Sequence, residues 1–127
     1  MSRRRPSPYA AAAVAAAPLS RLFKALGDEV RLRIVALLAH GELCVCHLEE
    51  ALDLTQPNAS RHLGLLRAAG VVSHQRRDRW VYYQLARQSD PGCARHLKSL
   101  VATFAKSDTL RKDVARLRKA TGPGACR

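Results

Sequence analysis

The sequence predicts a mainly α-helical domain with a β-hairpin wing, a winged helix-turn-helix that dimerises through its N- and C-terminal helices. Apolar residues recur with helical spacing over most of the chain from residue 18 onward. Two short helical segments joined by a three-residue turn are followed by two β-rich runs with a basic connection. The chain has 127 residues, enough for one small domain with one core.

Two helices are predicted before the helix-turn-helix. Residues 18–26 carry leucine and phenylalanine at positions i, i+3, i+4 and i+7, which predicts one buried helical face, and Gly27 follows. Asp28 suits the N-cap of a second helix over residues 29–40, because its carboxylate can accept a hydrogen bond from a first-turn amide. The wide apolar stripe of this second helix predicts a place in the core.

The helix-turn-helix begins with a short helix across "CVCHLEEAL" and continues through the turn "DLT". Thr55 then caps a helix over residues 56–70, which would enter the major groove and is called the recognition helix below. Its polar side chains suit contacts to base edges or phosphates, and His62 is either such a contact or a solvated surface residue. The predicted DNA contacts on this helix are Gln56, Asn58, Ser60, Arg61, His62 and Arg67.

The wing is predicted from a change in periodicity. The runs "VVSHQ" (71–75) and "RWVYYQL" (79–85) are rich in β-branched and aromatic residues and are joined by "RRD". We expect Arg76, Arg77 and Arg79 to hold the flanking DNA backbone or minor groove, with a simply solvated turn as the alternative.

The rest of the chain suggests two tails and a dimer interface. Two helical stretches close the domain, and the first and last helices carry more apolar surface than a small core requires. We assign this surplus to a homodimer interface, with intramolecular packing as the alternative. The predicted organisation is a basic, Ala-rich flexible tail (1–17), the DNA-binding and dimerisation domain (18–120) and a flexible tail with Cys126 (121–127).

Charge and composition indicate double-stranded DNA as the partner. Lys and Arg number 22 against 10 Asp and Glu, a formal charge of +12, which favours a polyanion.

No apolar run approaches the length of a membrane span, so no membrane partner is expected. The basic, Ala-rich N-terminus imitates a secretory signal, but its middle lacks leucine. No catalytic arrangement is present, so an enzyme is not predicted.

Cysteine usage indicates a reduced, cytoplasmic protein. The four cysteines are too few and too irregularly spaced for a disulfide scaffold. Cys44 and Cys46 open a predicted helix, whose N-terminus favours the thiolate form that ligates soft ions. Residues i and i+2 point to the same side only in an extended or unwound segment. One ion bridging both sulfurs is therefore expected to unwind this turn and tilt the recognition helix.

Three contiguous segments, "GELCVCHL", "TQPNASRHLGLLRAAGVV" and "RWVYYQL", resemble the ArsR/SmtB family of metal- and metalloid-responsive repressors, in particular its arsenical-resistance operon repressors. The resemblance covers about residues 19–85 in detail. It implies a homodimer that occupies the operator of its own operon and leaves when the inducer binds. The implied inducer is As(III), or Sb(III), held by Cys44 and Cys46, because soft thiolates select soft ions.

The sequence departs from that subgroup at two positions. The third cysteine of the arsenical pattern is replaced by Glu49, a hard ligand, and the usual aspartate is replaced by His47. We expect the third sulfur to come from Cys93 or Cys126, of the same or the partner chain, or from an external thiol or hydroxide. A methylated trivalent arsenical also suits a two-thiol site, because carbon already occupies one arsenic valence.

Other functions are compatible with the same residues. A repressor of the same fold can sense zinc, cadmium or lead, since two cysteines with a histidine and a carboxylate form an acceptable zinc set. It can also sense oxidation, although a disulfide between residues i and i+2 is strained. A ligand-free architectural DNA-binding protein and a secreted thiol-redox protein are the competing classes.

Overall fold

The computed structural model describes residues 8–121, with side chains from residue 16 onward, and confirms a winged helix-turn-helix. A three-stranded antiparallel sheet lies beside a helical core. Over residues 8–121, no helix combines the length and hydrophobicity needed to cross a membrane. The elements are α1 Pro8–Leu26, α2 Glu29–Leu38, β1 Leu43–Cys44, α3 Val45–Leu52, α4 Gln56–Ala68, β2 Val72–Arg77, β3 Trp80–Leu85, α5 Pro91–Phe104 and α6 Asp108–Ala120.

Helix α1 begins earlier than the sequence analysis predicted. It starts at Pro8 rather than near Pro18, so residues 8–17 are helical and not a flexible tail. Alanine has the highest helix propensity, and the alanine-rich segment extends the helix even though Pro18 lies inside it and cannot donate a backbone hydrogen bond. Residues 1–7 lie outside the described part of the chain.

The predicted helix caps are confirmed. The carboxylate of Asp28 accepts a hydrogen bond from the amide of Arg31 (3.1 Å), and the hydroxyl of Thr55 accepts one from the amide of Asn58 (3.4 Å). Helix α3 ends at Asp53 in the left-handed conformation (φ 53°), which turns the chain into Thr55 and α4. Together α3 and α4 form the predicted helix-turn-helix.

The sheet has the order β1-β3-β2, and β1 was not predicted. Leu43 pairs with Tyr83 and Cys44 with Tyr82, so Cys44 lies in a strand rather than in the predicted helix. The hairpin is also longer than predicted, because Arg76 and Arg77 belong to β2. The turn is Asp78–Arg79, with Asp78 at positive φ (56°).

The core lies between α2, α3 and α4, where Ile34, Leu37, Leu48, Leu63 and Leu66 have less than 2% exposure. Helix α6 packs against α3 and α2 and buries its apolar face within the chain. Leu110 and Leu117 of this helix therefore belong to the core of the chain. The partly exposed apolar residues instead flank a groove between α1, α2 and α5.

Candidate functional site

The sulfur atoms of Cys44 and Cys46 lie 3.1 Å apart. Cys44 is the last residue of β1 and the N-cap of α3, with an extended backbone (φ −70°, ψ 145°), while Cys46 lies in the first turn of the helix. The strand-to-helix junction thus brings together two side chains that a regular helix would hold apart.

This geometry corrects the expectation that a bridging ion must unwind the turn. Pairing with Tyr82 already holds Cys44 outside the helix, so the two sulfurs converge without any loss of helical structure. The sequence pattern that predicts a bridging site is therefore a cysteine at the N-cap and another at the second helical position. The site does not require an unwound turn.

The two cysteines, called the thiol pair below because both are thiols once reduced, open into a cavity of about 380 Å³ at the meeting point of α3, α4 and the wing. The α4 wall consists of Gln56, Ser60 and Leu63, and the wing contributes Trp80 and other residues. An occupant of the cavity would therefore touch the recognition helix and the wing directly. The lining residues are Cys44, Val45, Cys46, Glu49, Gln56, Ser60, Leu63, Arg79, Trp80, Val81 and Tyr83.

Glu49 lines this cavity, and among the described residues Cys44 and Cys46 are the cysteines that line it. Cys93 lies in a different cavity, beside Pro18 and Leu22, and is 3% exposed. Burial raises the pKa of the Cys93 thiol, and the charge of Asp90 adds to this effect. The structure therefore does not bring Cys93 to the thiol pair, and Cys126 lies outside the described residues.

A zinc set around His47 is not assembled either. Over residues 8–121, no group of three or more His, Cys, Asp or Glu side chains has a metal-binding arrangement. His47 does not line the cavity of the thiol pair, and its Nε2 is buried without a hydrogen-bond partner among the residues that the structure describes. Burial lowers the pKa of His47, with Glu50 opposing the effect, and this shift favours the neutral ring.

The outer face of α4 carries the predicted polar side chains. Gln56, Asn58, Ser60 and Arg61 are exposed along its N-terminal half. Arg67 is exposed near the end of the helix and lies 3.1 Å from the Nε2 atom of His74 in β2. This face therefore presents polar and basic side chains to solvent.

The position of His62 differs from the expectation of a DNA contact or a solvated residue. Its side chain is 6% exposed and points into the domain, where Nδ1 lies 3.3 Å from Nη1 of Arg31. It is neither a solvated residue nor a DNA contact. The spacing of Ala59, His62, Leu63 and Leu66 (i, i+3, i+4, i+7) places it in the buried stripe of α4, a signal present in the sequence.

The arginines of the wing differ in their contacts. Arg77 forms an ion pair with Glu42, and its guanidinium lies 4.1 Å from the centre of the Tyr82 ring. Arg79 lies over the Trp80 ring at 5.3 Å. Arg76 is exposed in β2. Arg77 therefore braces the wing against the segment before β1, while Arg76 and Arg79 remain open to solvent.

Comparison with known proteins agrees with this architecture. Residues 28–74 match the profile described as "Bacterial regulatory protein, arsR family". The transcriptional repressor BigR from Xylella fastidiosa is 30% identical, with a TM-score of 0.65 over 76% of this chain and 93% of that one. This chain belongs to the ArsR family.

Two further similar proteins are relevant to function. The arsenical resistance operon repressor of Escherichia coli is 54% identical over 67 residues, which cover 52% of this chain and 57% of the relative. The homodimeric winged helix-turn-helix domain of Mb0332 from Mycobacterium bovis is 28% identical, with a TM-score of 0.63, and covers 84% of this chain and 94% of that one. The chain spans little more than half of the length of the first curated relatives it matches.

Proposed function

We propose that this ArsR-family protein is a cytoplasmic transcriptional repressor that binds operator DNA as a homodimer and releases it when As(III) binds Cys44 and Cys46. The observation that carries the proposal is the cavity beside the thiol pair, because one of its walls is the recognition helix and another is the wing. A ligand on the sulfurs is thereby in contact with both elements that would hold DNA.

The exposed face of α4 and the wing carry the residues that we propose bind DNA. Gln56, Asn58 and Ser60 supply hydrogen-bonding groups for base edges, and Arg61 supplies a positive charge at the same end of the helix. Arg67, Arg76, Arg77 and Arg79 supply further positive charge for phosphates. The formal charge of +12 strengthens association at long range.

The distance between the sulfur atoms of Cys44 and Cys46 supports As(III) as the inducer. Two thiolates on one soft ion, with bonds of about 2.3 Å and ordinary bond angles, lie about 3.3–3.8 Å apart. The observed 3.1 Å requires an adjustment of only a few tenths of an ångström once both cysteines are reduced. The pair therefore holds two positions of a trigonal As(III) site, and Sb(III) suits the same ligands.

Release of DNA follows from the position of the pair. An ion bound to both sulfurs occupies space next to Ser60 and Leu63 of α4 and next to Trp80 of the wing. These elements shift relative to each other, and the protein no longer matches operator DNA. Linkage requires that DNA binding weaken As(III) binding by the same factor.

The third ligand remains a prediction. Cys126 follows α6, and α6 packs against α3, the helix that carries Cys46. Cys93 lies in a separate cavity with a buried thiol, so we favour Cys126 over Cys93. An external thiol or hydroxide is the alternative third ligand.

The dimer is proposed from the apolar groove between α1, α2 and α5, which has a volume of about 550 Å³. Phe23 is 47% exposed there, and Leu32, Leu100 and Phe104 are only partly buried. Such a surface is costly on a monomer. The homodimer of the Mb0332 domain supports a second copy of this chain as the occupant.

The cavity volume favours a second candidate inducer, an organic trivalent arsenical such as a methylated one. A volume of about 380 Å³ is many times larger than one bound ion, since a water molecule occupies about 30 Å³. Leu63, Val81 and the aromatic rings of Trp80 and Tyr83 supply apolar surface for an organic substituent.

The test is DNA release measured by fluorescence anisotropy with reduced protein, titrated with arsenite and with methylarsenite. The duplex is one that the wild-type protein selects from a random-sequence library. Arsenite is expected to release wild type and Cys93→Ser but not Cys44→Ser or Cys46→Ser. Release of the Cys44 and Cys46 variants at wild-type concentrations would contradict the proposal. Stronger release by methylarsenite would support the second candidate.

A further inference from the structure

The recognition helix is held by a buried contact that the proposed function does not use. Among the described residues, His62 and Asp113 are the buried polar or charged side chains, with His62 6% exposed on α4. Its neighbour Arg61 is exposed. The same helix therefore presents one residue to DNA and anchors the next in the domain.

The partner of His62 is a fixed arginine. Nε of Arg31 in α2 donates a hydrogen bond to the carbonyl oxygen of Ala25 (2.6 Å), and Nη2 approaches that of Lys24 (3.5 Å). These are carbonyls at the end of α1, where a helix leaves acceptors unsatisfied. Nη1 then lies 3.3 Å from Nδ1 of His62. Arg31 thus connects the end of α1, the start of α2 and the recognition helix.

This contact requires a neutral imidazole. A guanidinium has only donors, so Nδ1 of His62 must accept and the ring proton must lie on Nε2. Burial lowers the pKa of His62; Asp28 raises it, and Arg61 and Arg31 lower it further. From α1, the groups in this cluster are the backbone carbonyls that hold Arg31.

We propose that His62 is a positioning residue, which in its neutral form holds the recognition helix on Arg31 at the angle that operator DNA requires and in its protonated form releases it. The inference rests on the proposed function only in taking α4 as the DNA-reading helix. Because His62 is buried, it acts through the position of α4 and not by touching DNA.

Protonation exchanges the partner of His62. A proton on Nδ1 converts the acceptor into a donor and places a second cation against Arg31, which repels it. The carboxylate of Asp28, 3.8 Å from Nδ1, then becomes the available acceptor. Contacts of α4 to base edges depend on its angle, whereas attraction to phosphates does not, so sequence-specific affinity falls while non-specific affinity remains.

The experiment compares two duplexes, one selected by the wild-type protein from a random library and one unrelated, by anisotropy between about pH 8 and about pH 5.5. The readout is the ratio of the two affinities. The variants are His62→Asn, whose amide oxygen can replace Nδ1 as an acceptor but cannot titrate, and His62→Leu, which lacks an acceptor. His40→Asn is the matched control, because His40 is exposed.

For the wild-type protein, the ratio of the affinity for the selected duplex to the affinity for the unrelated duplex is expected to fall as the pH decreases. Protonation of exposed histidines alone adds positive charge and strengthens non-specific binding. His62→Asn should keep the ratio at about pH 8 within about twofold and lose the pH dependence, and His62→Leu should lower the ratio about tenfold throughout. His40→Asn should behave as wild type.

Two results would overturn the inference. One is a wild-type pH dependence retained in His62→Asn. The other is a nitrogen NMR spectrum of the free wild-type protein that places the neutral ring proton on Nδ1, a result that needs neither a folded variant nor DNA. If the wild-type protein selects no duplex, the proposed function fails as well, and the NMR spectrum still shows whether the Arg31–His62 contact has the stated geometry.

Discussion

The carboxylate of Asp113 accepts two hydrogen bonds from the guanidinium of Arg33, at 2.7 and 2.8 Å, and joins α6 to α2. Asp113 is 1% exposed, and these hydrogen bonds raise the pKa of Arg33 despite its partial burial. Because α6 also packs against α3, this ion pair fixes the helix behind the thiol pair.

Removing Asp113 should therefore be costly. Asp113→Ala leaves the charge of Arg33 without its partner and should lower the free energy of unfolding by about 3 kcal/mol, measured by urea denaturation. The exposed pair of Asp108 and Arg111, also 2.8 Å apart, provides the control. Asp108→Ala should cost less than about 0.5 kcal/mol. Equal losses in the two variants would show that burial of the first pair has no special effect.

The burial of His62 predicts a dependence of stability on pH. Its pKa in the folded protein lies below the ordinary 6.5, so the unfolded chain binds the proton more readily. The contribution is constant above the unfolded-state pKa and is lost as the pH falls from there towards the folded-state pKa. Urea denaturation should show a shallower loss for His62→Asn than for wild type over this range, and parallel curves would contradict the assignment.

The wing should contribute to DNA binding through two different kinds of arginine. Arg76→Ala and Arg79→Ala each remove a solvent-exposed charge and should reduce the slope of log affinity against log salt by about 0.9 if one phosphate contact is lost. Arg77→Ala also removes the ion pair to Glu42 and the stacking on Tyr82. It should lower the thermal stability as well, whereas Arg76→Ala should leave it unchanged. Identical melting temperatures for these two variants would refute the bracing role of Arg77.

The position of Cys93 predicts a slow thiol. Burial raises its pKa and keeps reagents away, so alkylation by iodoacetamide in the native protein should be much slower than in the urea-unfolded chain. Mass spectrometry of the alkylated peptides measures both rates. Native alkylation at the unfolded rate would show that Cys93 is accessible, and it would then return as a candidate third ligand.

Local signals predicted much of this fold. The side chains of Asp28 and Thr55 identified helix starts because a cap is a short-range hydrogen bond. The position of Cys44 was missed because a two-residue strand has no periodicity, and its pairing with Tyr82 joins distant parts of the chain. Arg31 was missed for a similar reason, since its partners lie on two other helices.

The proposed function requires that a trivalent metalloid bind the thiol pair inside the cavity shared by the recognition helix and the wing. Trp80 lines that cavity and is the single tryptophan of the chain, so its fluorescence reports on the site directly. Arsenite added to the reduced protein without DNA should change the Trp80 emission in wild type and in Cys93→Ser, and leave it unchanged in Cys44→Ser and Cys46→Ser. An unchanged wild-type spectrum at arsenite concentrations that release DNA would place the inducer elsewhere and would refute metalloid binding at the thiol pair.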